Sequence, residues 1–169
     1  RLPQYSIEEV DGNLVLEFEG EWAEAIYWEI YALSIVNELY YEAKMGELSR
    51  FERDVVFAEG RKKHAQKIKL FRELPDMTYV DFGTRRRNSR AWQRETIQIY
   101  MEELPTQYRG TSNVEMSQRF GTEPRGTDAH ERAMVLGGLA RHLGFEAFVN
   151  SQKQVLTDWE ELYGLGLSV

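Results

Sequence analysis

Short apolar segments alternate with longer amphipathic ones from Thr78 onward, and few folds accommodate that order. A chain that repeats strand and helix in this way is typical of parallel β/α units, so the sequence predicts an α/β fold. Strands are expected at 78–82, 107–110 and 122–125, and helices at 89–104, from Ser112 or Asn113 to Phe120, and from 126–128 through Glu131.

Further elements are expected on either side of these units. A turn at 11–13 precedes a strand at 14–18, helices are expected at 22–41, 48–71 and 150–163, and a last strand at 165–169. Because the helix at 22–41 is apolar on nearly every face, we expect it to be buried, either in a large core, which we favour, or at a subunit interface. In the helix at 48–71, an apolar face opposes the charged run at 61–63, and His64 is expected to be exposed.

Composition and charge exclude several classes of protein. The 169 residues include no cysteine, which excludes disulfides and thiolate sites. No signal peptide or membrane-spanning run is visible, so a cytoplasmic location is expected. The net charge of −7 divides into −10 over 1–60, +6 over 61–141 and −3 over 142–169. Positive charge concentrated within an acidic protein favours a small anionic ligand over a broad nucleic-acid contact.

Three polar, glycine-containing loops follow the predicted strands. We call residues 81–87 the first loop, 110–113 the second loop and 126–131 the third loop. In parallel β/α folds the loops after the strands share one face, where ligands bind. Each loop also begins a helix, whose backbone N–H groups favour an anion. The sequence therefore predicts an anion-binding pocket built from the three loops.

Two kinds of side chain in these loops suggest chemistry. Five arginines lie within ten residues (Arg85, Arg86, Arg87, Arg90 and Arg94), and their planar guanidinium groups suit carboxylate and phosphate. The alternatives are that Arg90 and Arg94 are ordinary surface residues, or that the cluster binds RNA. His130, beside Glu131 at a helix start, suits nucleophilic or phosphoryl chemistry, although an ordinary helix-cap histidine is the simpler alternative.

Other motifs do not carry a function. Gly164 and Gly166 lack the strand and the third glycine of a dinucleotide site. The three histidines have no metal-ligand spacing, so no metal-binding residues are expected, and His142 is interpreted as structural. The glycine pair at 137–138 indicates close packing or a break in a helix.

The three loops together resemble the ordered signatures of bacterial nicotinate phosphoribosyltransferases. The matching segments are Asp81-Phe82-Gly83-Thr84-Arg85-Arg86-Arg87, Gly110-Thr111-Ser112-Asn113 and Gly126-Thr127-x-Ala129-His130-Glu131. The block with Trp22-Ala23-Glu24, Trp28-Glu29-Ile30 and Asn37-Glu38-Leu39 resembles a buried helix of the same family. The resemblance extends from about Leu14 to the last residue.

The resemblance implies a fold and an activity. The fold would be part of an irregular β/α barrel like that of type II phosphoribosyltransferases, at 77–169, with residues 1–76 belonging to an adjoining α/β domain. The reaction would be the ATP-coupled, Mg²⁺-dependent transfer of phosphoribosyl from phosphoribosyl pyrophosphate to nicotinate, in a homodimer with shared active sites. The products would be nicotinate mononucleotide and pyrophosphate.

The same resemblance assigns roles to residues. Phe82 would stack on the pyridine ring, with Arg85 and Arg86 beside ring and phosphates. Ser112, Asn113 and Thr127 would complete the substrate site, and Ser112 stands where amide-using relatives carry an acid. His130 and Glu131 are the expected catalytic residues: ATP would phosphorylate His130, and Glu131 would orient it.

Departures from the family pattern leave alternatives. Glu21 and Tyr31 stand where the family often has proline, at structural positions. The family's N-terminal segment and the later half of its barrel are not in this sequence, so we expect the 169 residues alone to be inactive. The alternatives are a non-catalytic phosphate- or nucleotide-binding fragment and, less favoured, an RNA-binding protein that uses Arg85–Arg94.

Overall fold

The computed structural model describes residues 4–127 and 129–164. They form two compact units, one up to Arg125 and one from Gly126 onward, and each is described by itself. The first unit contains β1 (Gln4–Val10), β2 (Asn13–Glu19), α1 (Trp22–Ala25), α2 (Trp28–Gly46), α3 (Arg50–Glu73), β3 (Tyr79–Asp81), α4 (Arg90–Glu103), β4 (Tyr108–Thr111) and α5 (Val114–Phe120). The second contains α6 (His130–Ala140) and α7 (Phe145–Tyr163).

An antiparallel hairpin opens the first unit. Strands β1 and β2 pair from Gln4 opposite Glu19 to Val10 opposite Asn13. The two turn residues have positive φ, 52° at Asp11 and 77° at Gly12, as a tight two-residue hairpin turn requires. The predicted turn and second strand are confirmed. Strand β1 was not predicted, because its adjacent Glu8 and Glu9 weaken the apolar alternation.

The apolar helix predicted at 22–41 is helical, but the favoured alternative, burial in a large core, is wrong for the described part of this chain. It breaks into α1 and α2, and within α2 Ser34 is the buried residue. Its large apolar side chains are exposed because no other described part of the chain covers them: Ile30, Tyr31, Leu33, Ile35, Leu39, Tyr40 and Tyr41. A subunit interface on this helix stays a prediction.

Helix α3 begins at a capping box. The Ser49 hydroxyl accepts from the backbone N–H of Glu52, whose carboxylate accepts from the backbone N–H of Ser49 at 2.8 Å. Only the later part of its apolar face is covered, since Ile68 is buried while Phe51 is 76 % exposed. His64 is partly buried, contrary to prediction, because it packs against α4.

The core of the first unit lies between α3, α4 and the parallel pair β3–β4. Tyr79 lies opposite Tyr108 in that pair, and Asp81 lies opposite Thr111. The predicted helix at 89–104 is confirmed, and the Ser89 hydroxyl caps it by accepting from the N–H of Trp92 at 3.0 Å. The buried apolar cluster consists of Ile68, Ile97, Tyr100, Leu104, Tyr108 and Met116.

The third predicted strand, at 122–125, is reduced to one parallel bridge between Thr111 and Pro124. Proline has no N–H to donate, so it weakens any ladder at this position. The described residues therefore form a mixed α/β fold with one parallel and one antiparallel strand pair.

The second unit is a pair of packed helices. Helix α6 begins at His130, later than predicted, because Ala129 has the extended backbone of an N-cap residue (φ −76°, ψ 122°). Helix α7 begins at Phe145, five residues before the prediction, after Gly144 with φ 103°. The side-chain amide of Gln152 donates to the carbonyl oxygen of Ala133 at 3.1 Å and joins the helices.

Some predictions fall outside these observations. The strand predicted at 165–169 and the loop residue Asp128 lie outside the described residues. The domain boundary between 76 and 77 stays a prediction. Among residues 4–127 and 129–164, no helix has both the length and the apolar character needed to cross a bilayer.

Candidate functional site

The first and second loops lie side by side at the ends of parallel strands β3 and β4. The backbone N–H of Ser112 donates to the carbonyl oxygen of Asp81 at 2.9 Å, so the strand pairing continues into the loops. Asn113 then caps α5, since its side-chain oxygen accepts from the N–H of Met116 at 3.1 Å. Sequence reasoning offered Ser112 or Asn113 as this cap, and the structure selects Asn113.

Asp81 is a buried carboxylate whose oxygens are all engaged. It is 6 % exposed. One oxygen accepts from the side chains of Gln93 at 3.0 Å and Thr111 at 2.7 Å, and the other accepts from the backbone N–H of Gly83 at 3.1 Å. A buried charge is tolerated where donors surround it in this way. A Cβ on Gly83 would lie 2.9 Å from the Asp81 carboxylate, so glycine permits this close turn.

Gln93 of α4 connects Asp81 to the rest of the site. Its NH₂ group also donates to the hydroxyl of Thr84 at 3.1 Å. Its carbonyl oxygen accepts from the guanidinium of Arg87 and from the amide of Asn113, each at 3.2 Å. One buried side chain therefore contacts both loops.

Acidic residues of α2 hold the arginines of the first loop. Glu29 pairs with Arg85. Glu38 pairs with Arg87 at 3.2 Å and also accepts from the backbone N–H of Arg90 at 2.9 Å, at the start of α4. The arginine side chains are thereby fixed, and their charges are partly balanced, before any ligand arrives.

The backbone of the first loop is also held from α2. The side-chain amide of Asn37 donates to the backbone carbonyl oxygen of Arg85 at 2.8 Å. This contact and the two ion pairs attach the loop to α2 at both side-chain and backbone level.

Several residues predicted to bind substrate are open to a ligand. Phe82 is 46 % exposed, Arg86 is exposed, and Arg85, Ser112 and Asn113 are partly buried. Within the described part of the chain, neither the guanidinium of Arg86 nor the hydroxyl of Ser112 has a hydrogen-bond partner. The first unit therefore presents an aromatic face, a guanidinium and a neutral hydroxyl from two neighbouring loops.

The remaining predicted residues belong to the second unit. Thr127 is exposed, His130 is the exposed first residue of α6, and Glu131 follows it, partly buried. Ala129 at the N-cap position has no side-chain acceptor for the first N–H groups of the helix. A negatively charged group at this helix start is favoured by the helix dipole.

The arginine cluster does not form a bare basic surface. Arg85 and Arg87 pair with glutamates of α2, and Arg90 pairs with Glu115 at 2.8 Å. The guanidiniums of Arg90 and Arg119 lower the pKa of the Glu115 carboxyl. Three of the five arginines are thus already paired, which weakens the RNA-binding alternative.

Sequence reasoning missed Gln93 altogether, and it named Asp81, Glu29 and Glu38 only as members of the matching segments, without a role in the site. A signal for Gln93 existed, because it precedes Ile97 and Tyr100 by four and seven residues and so lies on the core-facing stripe of α4. A polar residue on such a stripe indicates a buried hydrogen-bond network. No comparable local signal marks Glu29 or Glu38, whose partners are about fifty residues away.

Comparisons with known proteins agree with one another. A family model described as the nicotinate phosphoribosyltransferase (NAPRTase) family matches residues 77–168. The crystal structure of nicotinate phosphoribosyltransferase from Vibrio cholerae is similar to 94 % of this chain, with 27 % identity and a TM-score of 0.69. The crystal structure of nicotinate phosphoribosyltransferase from Porphyromonas gingivalis is similar to 88 % of this chain, with 24 % identity and a TM-score of 0.67.

A third similar structure comes from Saccharomyces cerevisiae. It matches 96 % of this chain with 25 % identity and a TM-score of 0.69. The matched regions are 36 %, 38 % and 39 % of the three proteins, so the chain spans little more than a third of their length.

Proposed function

We propose that the protein carrying this chain, which belongs to the nicotinate phosphoribosyltransferase family, transfers phosphoribosyl from phosphoribosyl pyrophosphate to nicotinate. The products would be nicotinate mononucleotide and pyrophosphate. The observation that carries the proposal is the pair of joined loops, which present Phe82, Arg86 and Ser112 together at the end of a parallel strand pair.

The chemistry of the transfer matches these side chains. As the bond to pyrophosphate breaks, positive charge develops on the ribose and negative charge on the leaving phosphates. Guanidinium groups held in place beforehand stabilise that negative charge without reorganising during the reaction. Arg85 is held by Glu29 and Arg86 is unpaired among the described residues, so one is fixed and the other is open to phosphate.

The flat nicotinate ring needs an aromatic face and a neutral partner for its carboxylate. Phe82 would supply the face, and stacked ring pairs are favourable beyond the area they bury. Ser112 and Asn113 would donate to the carboxylate from the second loop. A contact of Thr127 with nicotinate stays a prediction. A neutral hydroxyl at Ser112 adds no repulsion toward an anionic substrate.

ATP coupling is proposed through His130. Phosphorylation of its imidazole would place negative charge at the start of α6, where the helix dipole favours it. Glu131 would orient the ring through its position next to His130. The added charge would change the electrostatics of the site and so bias substrate binding.

Mg²⁺ is proposed to arrive with the phosphates of the substrates. Among residues 4–127 and 129–164, no three histidine, aspartate or glutamate side chains converge to hold a metal ion. Mg²⁺ commonly keeps several waters and binds through substrate phosphates with one or two carboxylates, so a dedicated protein site is not required.

The complete fold and assembly are also proposals. The bridge to Pro124 adds a third parallel neighbour beside β4, in the order β3, β4, Pro124, which supports part of an irregular β/α barrel. The exposed apolar side chains of α2 support a homodimer, because such patches mark interaction surfaces. A cytoplasmic location is also proposed.

The direct test uses the complete protein with phosphoribosyl pyrophosphate, Mg²⁺ and ATP, and either nicotinate or nicotinamide. We expect chromatography to show nicotinate mononucleotide and pyrophosphate in equal amounts, and little nicotinamide product. A complete, folded protein that forms neither nucleotide would contradict the proposal and support the non-catalytic binding alternative.

A further inference from the structure

The side chain of Gln93 makes four hydrogen bonds to the two loops. Its NH₂ group donates to the carboxylate of Asp81 and the hydroxyl of Thr84, at 3.0 and 3.1 Å. Its carbonyl oxygen accepts from Arg87 and Asn113, both at 3.2 Å. Three of these partners lie in the first loop and one in the second, and Gln93 itself is 4 % exposed on α4.

We propose that Gln93 is a positioning residue that holds the first and second loops in one fixed relation, so that Phe82 and Ser112 meet the same substrate molecule. The inference rests on the proposed function, since it concerns how that substrate is held. Gln93 itself is not proposed to touch the substrate. It acts through Asn113, which would bind nicotinate, and through Arg87, which follows Arg86 in the first loop.

The partners require an amide at this position. The Asp81 carboxylate accepts hydrogen bonds, as it does from Thr111 and from the N–H of Gly83, so the group that faces it must donate. Arg87 only donates, and the side-chain oxygen of Asn113 is used to cap α5, so its NH₂ group is the end left to face Gln93. The side chain between them must therefore donate at one end and accept at the other.

Simple substitutions break this pattern in different ways. Gln93→Met keeps the approximate shape of the side chain and removes both the donating NH₂ group and the accepting carbonyl oxygen. Gln93→Glu keeps the accepting end and places a carboxylate against Asp81. Adding Asp81→Asn to Gln93→Glu exchanges donor and acceptor between the two positions, with the Thr84 and Thr111 hydroxyls able to donate or accept. The double variant should therefore restore the loops that Gln93→Glu disturbs.

Gln107 provides a matched control outside the loops. It is also buried, at 6 % exposed, and its NH₂ group donates to the carbonyl oxygens of Phe71, Leu74 and Met77. Gln107→Met removes three hydrogen bonds from the same unit, against four in Gln93→Met, without touching either loop. A comparison of Gln107→Met with Gln93→Met therefore distinguishes an effect on stability from an effect on the position of the loops.

The experiment measures steady-state kinetics of the complete protein and its variants with nicotinate. Small misplacements in an active site cost up to about 10²-fold, so we expect Gln93→Met to raise the KM for nicotinate by about 10-fold or more, with a smaller change in kcat. Gln107→Met should lower the melting temperature and leave the KM within about twofold. Gln93→Glu should also raise the KM for nicotinate, and the double variant should reverse most of that increase. This comparison tests the inference even if Gln93→Met does not fold.

An unchanged KM in Gln93→Met, an equal rise in Gln107→Met, or no rescue by the double variant would overturn the inference. A second measurement separates it from the proposed function, which fails if the unsubstituted protein makes no product. Backbone hydrogen exchange should speed up at Gly83, Ser112 and Asn113 in Gln93→Met and Gln93→Glu, but not in the double variant or in Gln107→Met. Unchanged exchange there would overturn the inference whatever the activity.

Discussion

The backbone N–H of Ser112 donates to the carbonyl oxygen of Asp81 at 2.9 Å, and this contact sets where the second loop begins relative to the first. The Ser112 side chain then follows β4 with no hydrogen-bond partner among the described residues. The backbone of Ser112 therefore joins the two loops, while its side chain remains available to a ligand.

Substrate preference should depend on the neutral character of Ser112. The complete protein is expected to prefer nicotinate over nicotinamide, because an acid at this position would repel the substrate carboxylate. Ser112→Asp should lower kcat/KM for nicotinate by as much as about 10⁴-fold, the scale on which mismatched polar sites discriminate. Ser112→Ala is the control and should keep the preference. Equal kcat/KM values for nicotinate and nicotinamide in the unsubstituted protein would contradict this prediction.

His130→Asn should abolish ATP hydrolysis and acid-labile phosphate labelling in the complete protein. Slow, ATP-independent transfer should remain, since Phe82, Arg85 and Thr127 would still bind substrate. His142, exposed in the same unit, provides the control, and His142→Asn should label normally. If His130→Asn keeps ATP-stimulated synthesis at the original rate, His130 is a structural residue.

Stability should fall in mildly acidic solution because of His64. Burial lowers the pKa of this imidazole, and the charge of Lys67 adds to the effect. Its ring lies 3.1 Å from the Tyr100 hydroxyl and 3.3 Å from that of Thr96. With the lowered pKa in the folded state, the unfolded chain binds the proton more readily, so the stabilisation is complete above about pH 6.5 and is lost as the pH falls below it.

The measurement for His64 is the melting temperature between pH 7.5 and pH 5.5. His64→Gln should show a smaller decrease over this range than the unsubstituted protein, whereas His142→Gln should show the same decrease. An identical pH dependence in all three proteins would remove His64 from the explanation.

Two adjacent glycines of α6 should respond oppositely to alanine. A Cβ on Gly137 would lie 2.9 Å from both the Phe148 ring and the Gln152 amide, whereas a Cβ on Gly138 would meet nothing within 4 Å. Gly138→Ala should stabilise the protein by up to about 1 kcal/mol, the ordinary gain for alanine within a helix. Gly137→Ala should lower the melting temperature, because the helices must separate. A gain from both substitutions would contradict the close contact.

Local signals in the sequence explain which elements were predicted correctly. Helix α4 is bounded by a capping Ser89 and by Pro105, and α5 by Asn113 and by Gly121 with φ 65°. Such signals act within a few residues, so they are visible without tertiary structure. The start of α6 was misplaced because Gly126 and Thr127 look like a helix start, although the helical backbone begins only at His130.

Long-range contacts explain what the sequence could not show. Glu38 and Arg87 pair across 49 positions, and nothing near either residue indicates the other. The exposure of α2 has a related cause. Its apolar residues indicate that something covers the helix, but they do not say whether the covering surface belongs to this chain.

A crystal structure of the complete protein with bound nicotinate would show directly whether the first and second loops bind the substrate. We expect the pyridine ring to stack on Phe82 and its carboxylate to lie within hydrogen-bond distance of the Ser112 hydroxyl, with the first and second loops joined through Gln93 as described. Nicotinate bound elsewhere while these two loops remain empty would contradict the proposed substrate site.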